Sequence, residues 1–325
     1  MRILIYFFSI VIFSAPIVLP ANGQDVASSY PAKPIKIIVP FAVGGGSDII
    51  ARVIGKELSQ KLGQPVVIEN RTGAGGSVGS NLALKSAPDG YTLLLISSSF
   101  SVNPALYKLP FDHINDISPI VELGHGPMIV TVANNLPIRS FKELISFTKA
   151  NPDKLAFGTS GQGGLVHFTT EAFMLETNTR MIHIPYKGSA DVVPDLISGR
   201  IQLFLADAGS VVRHINAGNL RGLAVSTKQR VQELPEVPTL IESGFTAFDM
   251  AVWQGLVAPK ATPDAIIQKL NFLINEIIRQ EDVIKAFKAQ YYNPVGGKPQ
   301  DFLNVIKSDS DRWIAVSKKA NIKVD

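Results

Sequence analysis

A chain of 325 residues that is 46% hydrophobic can bury one large core or two of ordinary size, and it is too apolar for a disordered protein. Its formal charge of +4 is scattered through 31 basic and 27 acidic residues, with no basic stripe interleaved with aromatics, which argues against a nucleic-acid partner. The absence of cysteine excludes disulfides, thiolate metal sites, a cysteine nucleophile and a lipid-modified N-terminal cysteine.

Met1-Arg2 leads an apolar stretch from Ile3 to Leu19, interrupted by Pro16, and Ala21-Asn22-Gly23 then puts small residues at the −3 and −1 positions of a cleavage site. The pattern predicts a signal peptide over residues 1–23, cleaved after Gly23; an uncleaved anchor is the competing reading. No later segment reaches about 18 uninterrupted apolar residues, so an exported, soluble mature chain is expected.

Ile35, Ile37, Ile38 and Val39 form a β-branched run suited to a buried strand, and Ile49, Ile50, Val53, Ile54, Leu58 and Leu62 recur at helical spacing. Between them lies Pro40-Phe41-Ala42-Val43-Gly44-Gly45-Gly46-Ser47-Asp48. Its glycines free the backbone for positive φ and for close approach of a ligand, and Ser47 or Asp48 can cap the helix. A strand, a glycine-rich turn and a helix N-terminus together make an anion site, here for a carboxylate. The same pattern also serves as a tight turn with no ligand.

Val66 to Glu69 reads as a second strand, leading into Asn70-Arg71-Thr72-Gly73-Ala74-Gly75-Gly76-Ser77-Val78-Gly79 and a helix. A dinucleotide fingerprint fails there because Val78 stands at the third glycine, and close packing is the expected role. Tyr91 to Ile96 is a buried strand ending in Ser97-Ser98-Ser99-Phe100-Ser101-Val102-Asn103-Pro104, hydroxyls placed where open α/β sheets hold ligands. Further strands are expected at Ile120 to Leu123 and Met128 to Val132, with Gly124-His125-Gly126-Pro127 as a crossing into a second lobe.

The opening arrangement then recurs. Leu155-Ala156-Phe157 is a short strand, Gly158-Thr159-Ser160-Gly161-Gln162-Gly163-Gly164 a second glycine loop, and Leu165, Phe168, Ala172, Phe173 and Leu175 the apolar face of a helix. If the lobes face each other, two helix N-termini converge on one acidic ligand. A helix over Ala190 to Ser198 and a strand Ile201 to Ala206 follow, and Asp207 at the strand's end either meets the ligand or caps the next helix. Leu223 to Ser226 and Trp253 to Ala258 read as strands, and Thr262-Pro263 as a helix start with proline in the first turn. Helices carrying Phe302, Ile306 and Trp313 close the chain.

Ser160 with His167 invites a serine-hydrolase reading, but Gln162 replaces the last glycine of a nucleophile elbow. The five histidines show no zinc spacing, and no phosphate-loop motif is present.

The ordered set Pro40-Phe41 with Gly44-Gly45 and Asp48, Glu69-Asn70-Arg71, Ala87-Pro88-Asp89-Gly90-Tyr91-Thr92-Leu93, Asn103-Pro104-Ala105-Leu106-Tyr107, Gly161 with Gly163 and His167, Pro185-Tyr186-Lys187-Gly188, and Leu234-Pro235 with Val237-Pro238-Thr239 resembles, almost end to end, the Bug-type periplasmic receptors of tripartite tricarboxylate transporters. The resemblance implies an α/β, two-lobed Venus-flytrap fold of the periplasmic-binding-protein type. Lobe 1 would comprise 24–125 and 249–325, and lobe 2 126–248. It implies a receptor without cofactor or metal that captures a small organic acid in the cleft and, as a monomer, delivers it to small and large integral membrane subunits. The ligand residues it implies are Val43, Gly44, Gly45, Gly46, Ser47, Asp48, Ser97, Ser99, Asn103, Thr159, Ser160, Gly161, Gln162, Gly163, His167 and Asp207. An exported hydrolase using Ser160 and His167, or a receptor feeding a sensor, are the alternatives.

Overall fold

The computed structural model describes residues 29–245 and 250–322; the expected signal peptide lies outside them. Its strands are β1 (Ile35–Val39), β2 (Val66–Asn70), β3 (Thr92–Ser97), β4 (Ile117–Ala133), β5 (Ala156–Thr159), β6 (Ile182–Pro185), β7 (Leu203–Asp207), β8 (Leu220–Val225), β9 (Ala251–Pro259) and β10 (Asn293–Pro294). The helices are α1 (Gly46–Leu62), α2 (Ser77–Leu84), α3 (Ser98–Val102), α4 (Phe141–Ala150), α5 (Leu165–Thr177), α6 (Ser189–Ser198), α7 (Ala208–Asn216), α8 (Asp264–Ile277), α9 (Glu281–Ala289) and α10 (Pro299–Ala320).

β1 and β3 read as unbroken apolar runs because both faces of their sheet are covered. Ile35, Ile37, Val39, Leu93 and Leu95 pack on one face with Ile50 and Ile54 of α1, Leu270 of α8 and Phe287 of α9. Ile38, Leu94 and Ile96 face the other way, onto Ala83 of α2, Phe100 of α3 and Phe302 and Ile306 of α10. Residues one apart thus serve two cores, as the two-residue period of a strand requires.

The sheet order is β2-β1-β3-β9-β4-β7-β5-β6, with β8 and β10 also on β4. β4 joins the two halves. Its residues Ile117 to Pro127 pair antiparallel with β9, and Met128 to Val132 with β7. In the second half β6, β5 and β7 run parallel, repeating the β2-β1-β3 arrangement of the first, and a separate core around Phe157, Phe168, Phe204 and Val211 fills it. This is the two-lobed α/β architecture that the sequence implies.

Several local expectations change. The strands expected at 120–123 and 128–132 are one strand, with Gly124 to Pro127 in its middle. That stretch pairs with β9 and β10, and glycine is required in it because Cβ atoms at Gly124 and Gly126 would lie only 2.6 and 2.8 Å from the carbonyl oxygens of Asn293 and Tyr291. The serines after β3 form α3 rather than a loop. Pro263 is the N-cap of α8, one position earlier than expected.

Parallel strands that end beside the joining strands place their loops together. Ser97, the last residue of β3, pairs with Gln254 of β9, and Asp207, the last of β7, pairs with Met128 of β4. The carboxyl ends of the parallel strands in both halves therefore point at the junction, where open α/β sheets take ligands.

Candidate functional site

The first loop is built around Gly44 and Asp48. Gly45, not Ser47 or Asp48, is the N-cap of α1, with φ −74 and ψ 163. Of the three glycines only Gly44 takes positive φ, at 80. That turn aims its N–H at Asp48 Oδ2, 2.9 Å away. Asp48, third residue of the helix and buried, also accepts from Arg52 Nε at 3.0 Å and from Asn70 Nδ2 at 3.0 Å. Burial pushes its carboxyl up, but the bonds from Arg52, Gly44 and Asn70 outweigh that and hold it below the usual carboxylate range. Asp48 is therefore an internal brace, and Arg52 offsets a charge that would otherwise repel an anion. The first helical bond runs from Ile49 N–H to Gly45 O, at 3.0 Å. The N–H groups of Gly46, Ser47 and Asp48 precede it, where helices lack internal acceptors.

The second loop repeats this turn at its last two residues. Gly164 is the N-cap of α5, with φ −75 and ψ 168, and Gly163 before it has φ 72. The Gly163 N–H donates to His167 Nδ1 at 3.1 Å, and Phe168 N–H to Gly164 O at 3.2 Å makes the first helical bond. Leu165, Val166 and His167 thus offer the N–H groups that Gly46, Ser47 and Asp48 offer in the first loop. His167 Nε2 lies 3.5 Å from Glu171 Oε1. Its ring stacks on His183 at a centroid distance of 3.9 Å. His183 Nε2 is 2.7 Å from Thr159 Oγ1, and that hydroxyl donates to Gly161 O at 3.0 Å. Burial, then the neighbouring His167, pushes His183 down to about 4, so it is neutral near pH 7.

These bonds place each expected residue. With His167 Nδ1 on Gly163 and Nε2 facing Glu171, the base–nucleophile bond to Ser160 that a hydrolase requires is not formed. Val43 is 70% exposed at the tip of the first loop, while Thr159 is buried, Ser160 and Gly161 half-buried and Gln162 exposed in the second. Asp207 caps α7, accepting from Ser210 N–H at 3.1 Å and Ser210 Oγ at 2.8 Å. Ser97 Oγ and Ser99 Oγ are 2.9 Å apart, and Asn103 Nδ2 donates to Gly75 O at 3.0 Å. Phe41, Gly75, Ser97, Ser99 and Asn103 share a recess of about 10 Å³, room for one water-sized group. The glycine turn before α2, expected only to pack, therefore also lines the recess. Its bond to Asn103 joins residues far apart in the chain, and no short-range pattern announces it.

A larger cavity, of about 690 Å³, lies among Glu122, His125, Arg230, Trp253, Tyr291 and Asp309, and takes no residue from either glycine loop. Several of its polar groups have partners: His125 Nδ1 lies 3.4 Å from Glu122 Oε1, Trp253 Nε1 donates to Asp309, and Arg230 pairs with Glu242 at 2.9 Å. The paired loops instead offer six first-turn N–H groups at two helix N-termini, the arrangement that suits an anion.

The family model described as the tripartite tricarboxylate transporter family receptor matches residues 50–322. The chain is 39% identical over 301 residues to the protein BugT of Bordetella pertussis, across 92% of each chain. Among solved structures it is similar to R. palustris Rpa4515 with adipate, at 30% identity and a TM-score of 0.77, covering 91% of this chain and 100% of that one. It is also similar to MatC (Rpa3494) from Rhodopseudomonas palustris with bound malate, at 26% identity and a TM-score of 0.73, covering 88% and 99%. No helix among the described residues is long and apolar enough to cross a membrane.

Proposed function

The chain belongs to the tripartite tricarboxylate transporter receptor family, and we propose that it captures a small organic acid between its lobes and delivers it to membrane subunits of a transporter. In this reading the mature protein starts after Gly23, works in the periplasm as a monomer and carries out no chemistry on its ligand. Lobe 1 comprises 24–125 and 249–325, and lobe 2 comprises 126–248.

The observation that carries the reading is the pair of matched glycine loops, each presenting the first-turn N–H groups of a helix of more than ten residues. One carboxylate bridging Gly46–Asp48 and Leu165–His167 is the contact that favours a closed over an open state. Val43, Ser160, Gly161 and Gln162 form the loop rims, and Ser97, Ser99 and Asn103 face the distal end of the acid. Two relatives in the family fold hold adipate and malate, which supports a carboxylate as the class.

The test is a thermal-shift panel on the mature protein with adipate, malate, citrate, an amino acid and an aromatic acid, against uncharged amides of the same acids. A ligand at about 100 times its Kd raises stability by about 2.7 kcal/mol, an easily read shift. Stabilisation by at least one acid and none by its amide is expected; equal response to acid and amide contradicts the reading.

A further inference from the structure

We propose that His167 is a positioning residue, the second-lobe counterpart of Asp48, which acts through Gly163 to hold the second loop's N–H groups in place. The inference rests on the reading that the two loops hold the ligand carboxylate.

The equivalence is geometric. In each loop a glycine with φ near +75 precedes an extended N-cap glycine: Gly44 at 80 before Gly45 at −74, and Gly163 at 72 before Gly164 at −75. In each the side chain four residues after the first glycine, on the third residue of the helix, accepts that glycine's N–H, at 2.9 Å for Asp48 and 3.1 Å for His167. In each the N-cap carbonyl then accepts the first helical bond. A left-handed glycine turns its N–H back toward the helix, away from a ligand, and without an acceptor that N–H would be left over at a partly buried turn. The brace satisfies it and fixes the angle between loop and helix, and so the direction of the N–H groups that follow.

Only one protonation form of His167 performs this role. Nδ1 must be the bare acceptor and Nε2 must carry the proton, which faces Glu171. His183, stacked on the ring, holds the other end of the loop through Thr159 and Gly161, so the second loop is fixed at both ends by imidazoles. The first is fixed instead by a carboxylate whose charge Arg52 offsets. The two loops thereby share one brace geometry built from different groups, a charge-paired carboxylate in the first and an imidazole nitrogen in the second.

The substitutions that test this separate the acceptor from the ring. His167→Asn keeps an acceptor on a short side chain, and Asp48 demonstrates that a side chain of that length at that position reaches the glycine N–H. His167→Phe keeps an aromatic ring to stack on His183 and removes the acceptor. Imidazole ¹⁵N shifts of the wild-type protein report the tautomer without any ligand, and the neutral Nε2–H form is expected; an Nδ1–H form overturns the proposal. Calorimetric titration with the best acid of the panel above should show His167→Phe weakened about ten-fold or more and His167→Asn weakened less, although Phe preserves more of the packing. A Phe variant that binds as tightly as wild type, or more tightly than the Asn variant, overturns the proposal while leaving the carboxylate reading intact. A wild-type protein that responds to no acid overturns the carboxylate reading itself, and this proposal with it.

Discussion

At the scale of single residues, the two loops are set by side chains that never need to touch the ligand. Asp48 binds three donors from Gly44, Arg52 and Asn70, so Asp48→Ala removes the acceptor for all three. A loss of about 2 kcal/mol in folding stability is expected in chemical denaturation, together with loss of acid binding. His183 gives a pH prediction. Its folded value is about 4 against an ordinary 6.5, so the unfolded chain binds the proton more readily. Stability is therefore full above about pH 6.5 and falls as pH drops toward 4, by on the order of 1–2 kcal/mol after screening at a partly exposed ring. Unfolding midpoints measured across that window should show the decline, and His183→Gln should flatten it. The glycine loops were legible in the sequence because strand, glycines and helix change period in a few residues. The braces were not: a carboxylate and an imidazole look unrelated until the helix start fixes both at the same register. The sequence also suggests three free glycines in the first loop, whereas Gly44 alone needs positive φ.

At the scale of elements, that distinction gives a clean pair of variants. Gly44→Val forces a β-branched residue to φ 80, where no neighbour lies within 4 Å of its Cβ, so its cost is backbone strain of about 1–3 kcal/mol. Gly45→Val sits at an ordinary extended φ, with Ala42 O 3.4 Å from its Cβ, and should fold normally while its bulk blocks the N–H groups. Thermal unfolding and titration of both should show lower stability in the first and lost binding without lost stability in the second. The joining strands are equally constrained. A Cβ at Gly255 of β9 would lie 2.2 Å from Phe302 Cζ and 2.7 Å from Val121 O, so Gly255→Ala should cost about 3 kcal/mol in denaturant unfolding. The sequence divides β4 in two because Gly124, Gly126 and Pro127 are strand breakers by local rules. The residues around β10, about 170 positions later, account for the two glycines by filling the space where side chains would stand, and Pro127 pairs with Ala251 of β9.

At the scale of the whole molecule, a repeated βα arrangement on either side of shared strands turns a common local motif into a clamp. One glycine loop at a helix N-terminus is an ordinary turn; under the proposed function, two with matched N-cap angles, at strand ends that both point to the junction, hold one anion between them. The unbroken apolar runs of β1 and β3 and the second glycine loop made this architecture readable from the chain. The recess between Gly75 and Asn103 was not, because it depends on contacts between distant segments. The measurement that tests the clamp most directly is a titration of the ¹⁵N-labelled mature protein with the acid that stabilises it best, followed by amide NMR. With one acid bridging both loops, the Gly46, Ser47, Leu165 and Val166 signals should move together and saturate at one stoichiometric equivalent. Shifts confined to one loop, or centred on Arg230, Trp253 and Tyr291 of the larger cavity, would contradict it.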